Sequence, residues 1–294
     1  MRVLLAVDGS PSSLQARDLV ARLRLPPAST TWLMAAYQLG IDYVPTAPAM
    51  PWIGAEDAIR DQLAAELERL AGPLRRVGRE VETVLVRGRP ATAIVDHARA
   101  LDVDVIVLGS RGRGPLASML LGSVSAEVAD HAPCPVLVTR SDHISRLLVA
   151  TDGSDHARTI PGLLGRWGLF RGMKADVVSV ALPPERTFEV LAELYTLGAY
   201  PAEDRQLTLD RHRRSADETA ERLTEAGIPA TSTVVVGDVA DEIISAARRT
   251  GADLIVTGSR GLMGLDRLFL GSVARNVLLH APCSVLVVRP TPRT

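Results

Sequence analysis

The sequence predicts an α/β protein built from two tandem, doubly wound domains. Residues 98–140 align without gaps on residues 247–289 at an offset of 149, with about half of the positions identical, so the chain is written twice. The opening segment recurs as well, "LLAVDGS" at 4–10 against "LLVATDGS" at 147–154, at an offset of 144. Within each copy, short β-branched apolar runs alternate with segments of helical period, which is the pattern of βαβ crossovers.

In the first copy the strands are "RVLLAVD", "WLMAAY", "VETVLV", "VDVIVLG" and "PVLVTR". They are almost continuously apolar, as suits strands covered on both faces of a parallel sheet. Helical patterns fall between them, near 11–24, 55–77, 91–101 and 116–131. Strand and helix in strict alternation require right-handed crossovers and a sheet clad on both sides. The second copy carries five extra residues, placed in the variable middle, where "LPPERTFEVLAELYTLGAYPAEDR" stands against "LGIDYVPTAPAMPWIG". The polar stretch "SDHIS" at 141–145 reads as the linker, which gives domains over 1–141 and 145–294.

The bulk composition excludes several classes of function. With 294 residues, each half is long enough to bury a core of its own. Apolar residues make up 47% of the chain, charged residues 23%, and the formal net charge is −1, which leaves no electrostatic footprint for nucleic acid or an anionic membrane. The chain opens directly on "MRVLLAVDGS", and no apolar run reaches bilayer length; a cytoplasmic protein is expected. Cys134 and Cys283 occupy equivalent "HAPC" positions and read as small buried hydrophobes. Lys174 is the single lysine, so a P-loop, whose glycine turn ends in lysine, is excluded.

In an open parallel sheet, ligands bind beyond the carboxyl ends of the strands where the strand order reverses. The loops there are "DGSPSS", "RGRP" and "GSRGRG" in the first half, and "DGSDHA", "VGDV" and "GSRGLM" in the second. Glycine after a buried strand lets backbone approach a ligand, and the next helix offers unpaired N–H groups and a positive dipole end, which together suit phosphate. For Gly122 and Ser123 to face the same anion as Gly109 and Gly112, the chain must fold back; the alternative is that these glycines serve only tight packing. Asp8 and Asp152 either accept from a ribose hydroxyl or close an Asx-turn or helix cap. Arg111 and Arg260 pair with phosphate or lie solvated in their loops. His97, His131 and His280 lack ligand spacing and read as structural. No G-x-G-x-x-G follows the first strand, and neither a G-x-S-x-G elbow nor an H-E-x-x-H pair is present. With no acid, base and nucleophile set to nominate, catalytic residues are given as none, and binding is the better default.

A strand-terminal Asp followed downstream by G-x2-G-x9-G-[ST] resembles the nucleotide-binding members of the universal stress protein family, in their tandem two-domain form. The first copy reads Gly109, Gly112, Gly122, Ser123 and the second Gly258, Gly261, Gly271, Ser272. The resemblance covers essentially the whole chain. It implies two Rossmann-like domains, each with a five-stranded parallel sheet, paired through their last strands, and ATP held between the ends of strands one and four. In that family the Asp serves the ribose, the first glycine pair admits sugar and phosphates, and the G-[ST] pair holds the phosphate tail. Carried over, Asp8, Gly109, Gly112, Gly122, Ser123, Val124 and Ser125 form site one; Asp152, Gly258, Gly261, Gly271, Ser272 and Val273 form site two. Tyr37 and Val180 are candidates for the strand-two contact with adenine.

One departure stands out, since Ala274 replaces Ser125 in the second copy. Loss of a neutral donor is worth about 0.5–1.5 kcal/mol net, so weaker binding is expected at site two. The function implied is a regulatory protein whose occupancy by ATP, or another adenine nucleotide, is read by a protein partner in stress or growth arrest, with chains associating as homodimers. Two alternatives stay open. One is slow ATP hydrolysis in the same pocket with Mg2+ bridging phosphates; the other is a nucleotide-independent scaffold or chaperone-like module docking partners on the Pro-rich "VPTAPAMPWIG".

Overall fold

A computed structural model of the chain describes residues 1–38, 55–112, 121–183, 205–261 and 270–289. The Pro-rich segment with Trp52, and residues 184–204 of the second half's variable middle, fall outside these residues. The first half runs β1 (Arg2–Ala6), α1 (Pro11–Arg22), β2 (Thr30–Tyr37), α2 (Ala55–Arg76), β3 (Glu80–Arg87), α3 (Pro90–Ala100), β4 (Val105–Gly109), α4 (Ser123–His131) and β5 (Val136–Thr139). The second runs β6 (Arg146–Ala150), α5 (Asp155–Arg158), α6 (Ile160–Trp167), β7 (Lys174–Ala181), α7 (Arg205–Glu225), β8 (Ala230–Val236), α8 (Val239–Thr250), β9 (Leu254–Gly258), α9 (Ser272–His280) and β10 (Ser284–Val288).

The strands form one ten-stranded sheet in the order β3-β2-β1-β4-β5-β10-β9-β6-β7-β8. Each half contributes five parallel strands, as the repeat implies, and the halves join by antiparallel pairing of β5 with β10. At that seam Val138, Leu137 and Val136 face Val285, Leu286 and Val287. Two apolar edges that would template aggregation thereby cover one another.

The strands are apolar on both sides because the sheet has two cores. Along β1, Leu4 and Ala6 enter one layer while Val3 and Leu5 enter the other, the two-residue alternation of a pleated strand. The first layer lies under α3, α4, α8 and α9, and the second under α1, α2, α6 and α7; both run unbroken across the β5–β10 seam. At about 25 cal/mol per Å² of apolar surface, each of these large buried side chains contributes roughly 1.5–3 kcal/mol, so the halves are welded rather than merely tethered.

One expected boundary moves. The pattern near 116–131 suggests one continuous helix, but Gly122 is extended at φ −70°, ψ 147° and α4 starts only at Ser123. Leu121 supplies apolar periodicity without being helical; it is buried in the first core layer ahead of the helix. Residues 116–120 lie outside the described structure.

Candidate functional site

The strand order reverses between β1 and β4 in the first half, and between β6 and β9 in the second. The two "DGS" loops lie at these switch points. Asp8 Oδ1 accepts from Ser10 N at 2.9 Å, and Asp152 Oδ1 from Ser154 N at 2.9 Å. Gly9 and Gly153 take φ of +77° and +76° to make the turn, a region that costs other residues steric strain. Ser10 and Ser154 then cap α1 and α5, accepting from Ser13 N and Ala157 N. The Asx-turn reading of Asp8 and Asp152 is therefore realised. The turn uses Oδ1 of each carboxylate.

The second oxygen meets the glycine loop. A Cβ on Gly112 would lie 2.8 Å from Asp8 Oδ2, and one on Gly261 2.8 Å from Asp152 Oδ2. Backbone thus closes onto the carboxylate in both halves at a distance that only glycine permits. Gly109 is tighter still, because its Cβ would lie 2.6 Å from the Ser12 carbonyl carbon and 2.7 Å from Ser12 O. Gly258 is looser, with Arg260 O and His156 Cβ both at 3.3 Å.

The fold-back that the motif requires is present. Gly122 N donates to Ser110 O at 2.7 Å, and Gly271 N to Ser259 O at 2.9 Å. The Gly109–Gly112 turn is thereby joined to the start of α4, and Gly258–Gly261 to the start of α9. Both helices open on glycine with no side-chain cap, whereas α1 and α5 are closed by serine. The first-turn N–H groups of Ser123, Val124 and Ser125, and those of Ser272, Val273 and Ala274, have no acceptor within their own helices. A backbone cradle of this kind, at the positive end of a helix dipole beside a carboxylate, can accept an anion flanked by hydroxyls.

Ser125 differs from expectation. Its buried hydroxyl donates to Gly109 O at 2.8 Å, so its one hydrogen ties α4 to β4. The hydroxyl missing at Ala274 is therefore, in the first half, an internal tie. The adenine candidates also separate. Arg2 pairs with Thr30 and Arg146 with Lys174, so Ala36 is the counterpart of Val180. Both pack on the first core layer; Tyr37, one residue on, alternates to the other face.

Three features of the site were missed in the sequence. Gly9 and Ser10 build the turn; the shared "DGS" was the available signal. Ser12 Oγ lies 3.4 Å from Ser110 Oγ and accepts from Arg111 N, whereas His156 at the equivalent place meets Ser259 Oγ through Nδ1 at 3.0 Å. Burial, and then the charges of Arg260 and Arg289, push the His156 pKa down. Arg140 and Arg289, the last residues of "VLVTR" and "VLVVR", bridge the halves; their shared repeat position was the signal. Arg111 is exposed and Arg260 half-buried. Burial pushes the Cys134 thiol up to about 12 and that of Cys283 up to about 11, as befits packing residues. No helix among the described residues is long and apolar enough to cross a membrane.

Fold and site together define a class, a duplicated doubly wound α/β protein with a glycine cradle at each switch point. The sequence profile of the universal stress protein family matches residues 1–140 and 143–289, and the chain belongs to that family. It is 31% identical over 260 residues to the universal stress protein Rv2005c of Mycobacterium tuberculosis, a match covering 84% of this chain and 83% of that one. It is 32% identical over 148 residues to the universal stress protein YxiE of Bacillus subtilis, covering 47% of this chain and 98% of the relative. Among solved structures, a universal stress protein from Archaeoglobus fulgidus superposes with a TM-score of 0.67 at 20% identity, covering 98% of this chain and 96% of that one; this likeness concerns the fold.

Proposed function

We propose that the chain is a cytoplasmic regulatory protein of the stress response that binds ATP, or another adenine nucleotide, in each half. The observation that carries this reading is the repeated clearance of 2.8 Å between a carboxylate oxygen and the space of an absent Cβ, at Asp8–Gly112 and at Asp152–Gly261. The carboxylates suit ribose hydroxyls, as acidic residues do at switch points. Gly109, Gly112, Gly258 and Gly261 let sugar and phosphates lie against backbone. The Gly122–Ser125 and Gly271–Val273 segments offer N–H groups to the phosphate tail.

Among the described residues no three His, Cys, Asp or Glu gather as a metal site. Any Mg2+ in this reading is carried by the phosphates and water, as is usual for this ion. The edges β5 and β10 are consumed within the chain, so a homodimer would use another surface. A formal net charge of −1 offers no counterion-release drive toward nucleic acid.

The test is chromatography of whatever small molecule heat denaturation releases from freshly purified protein, followed by ATP titration of the stripped protein. An adenine nucleotide in the supernatant and saturable rebinding, lost in an Asp8→Ala, Asp152→Ala double variant, are expected. A protein that carries no nucleotide and takes up none on titration overturns the reading.

A further inference from the structure

The two halves exchange arginines in a reciprocal pattern. Arg140, directly after β5, sends Nη2 to Leu278 O at 2.6 Å and Nη1 to Cys283 O at 3.3 Å. Arg289, directly after β10, sends Nη2 to Ala129 O at 2.5 Å and to Asp130 O at 2.7 Å. Ala129 and Leu278 are equivalent positions near the carboxyl ends of α4 and α9. Each arginine therefore caps, across the seam, the helix whose other end opens on the opposite half's candidate site. Cations at helix carboxyl ends complement exposed carbonyls and the dipole.

Each arginine is also tied to the loop of its own half. Ser110 N donates to Thr139 O at 3.0 Å, one residue before Arg140, and Ser259 N donates to Val288 O at 2.8 Å, one residue before Arg289. A continuous path thus runs from the site-one loop through Thr139 and Arg140 to α9 and site two. Its mirror runs from the site-two loop through Val288 and Arg289 to α4 and site one. Burial disfavours both guanidinium charges, and the loop arginines Arg111 and Arg260 add repulsion to Arg140 and Arg289 respectively. An anion beside Arg111 or Arg260 offsets that repulsion and firms the cap in the opposite half. A carbonyl-bonded, half-buried guanidinium is costly to detach, so displacement at one end is passed on rather than absorbed.

We propose that Arg140 and Arg289 are positioning residues that couple the two sites, so that an adenine nucleotide bound in one half tightens binding in the other. This rests on the nucleotide reading of the sites. Ordering one glycine loop pre-orders the helix that serves the other, which gives positive cooperativity. By linkage the factor is the same in both directions, and typical couplings start at about fivefold.

The experiment is calorimetric titration with ATP of the full chain, of Gly112→Val and Gly261→Val, which each disable one site, and of the Arg140→Gln, Arg289→Gln double variant. Site-two affinity is expected to be at least about fivefold tighter in the native chain with site one filled than in Gly112→Val, with the same factor for site one against Gly261→Val. The arginine double variant should retain two sites with the affinities of the isolated ones and a coupling factor of one. Independent sites in the native chain, or coupling that survives the double variant, overturns the proposal while leaving the nucleotide reading intact; a chain that binds no ATP overturns both. If the double variant does not fold, hydrogen exchange on Gly261→Val decides. ATP filling site one should slow exchange of the α9 amides in the far half, and unchanged α9 exchange refutes the coupling.

Discussion

Substituting the first glycine of each motif by alanine should have unequal consequences, although the motif is the same. In Gly109→Ala the new methyl would sit 2.6 Å from the carbonyl carbon of Ser12 and 2.7 Å from its oxygen. Carbon atoms pack best at about 3.5–4.0 Å, so roughly 1 Å of overlap must be relieved. Ser12 Oγ, also 2.6 Å away, can rotate aside, but the carbonyl carbon and oxygen are backbone in the first turn of α1, which no rotamer change can move. Shifting that turn also disturbs the Arg111 N to Ser12 Oγ bond at 3.3 Å. Overpacking of this kind costs typically 1–3 kcal/mol, and here the upper part of that range is expected. In Gly258→Ala the nearest atoms are 3.3 Å away, one of them the His156 Cβ, so a few tenths of an ångström suffice and the cost should stay below about 1 kcal/mol. Urea unfolding of the two variants beside the native chain measures both, with the midpoint moving and the slope unchanged. Equal losses, or a larger loss in Gly258→Ala, would refute the packing argument.

Further outcomes follow from the same geometry. Ser125→Ala should lower stability by about 1 kcal/mol in the same urea assay and leave ATP affinity at site one nearly unchanged, because the hydroxyl serves Gly109 O; a tenfold loss of affinity would restore it as a ligand donor. His156 and His212 are both pushed below the usual imidazole pKa, each mainly by burial. The unfolded chain therefore binds protons more readily than the folded one, and their contribution is full above about pH 6.5 and lost as pH falls through the folded values. The His156→Gln, His212→Gln double variant should accordingly lose less stability than the native chain between pH 7 and 5, as denaturant titrations at each pH would register; parallel pH profiles would contradict this. Cys134 and Cys283, raised to about 12 and about 11, should resist thiol reagents at pH 8 in the folded chain and react fully once unfolded; rapid labelling of the native protein would contradict the packing role.

The architecture was legible in the sequence because each of its causes is local or repeated. Apolar runs such as "VDVIVLG" declare strands covered on both faces, and the offset repeat declares the duplication. The β5–β10 seam was also within reach, since two apolar terminal strands need cover. The site was legible only in outline. Glycine spacing marks where backbone comes close, but the Gly122 N to Ser110 O bond that closes the cradle depends on a fold-back no period encodes. Whether Ser125 faces ligand or protein depends on which way one hydroxyl points, and a one-residue phase difference separates Tyr37 from the counterpart of Val180. The arginine exchange was illegible for another reason: Arg140 and Ala129 look unremarkable until the antiparallel seam brings each against the other half.

We propose above that the duplicated cradle is a duplicated nucleotide site. Its most direct measurement is the number of ATP molecules bound per chain at saturation, by equilibrium dialysis, in the native protein, in Gly112→Val, in Gly261→Val and in the double variant. About two, one, one and none are expected, since a side chain at either glycine would fill the space beside Asp8 or Asp152. Binding that is absent in the native chain, or a stoichiometry that survives both substitutions, would contradict it.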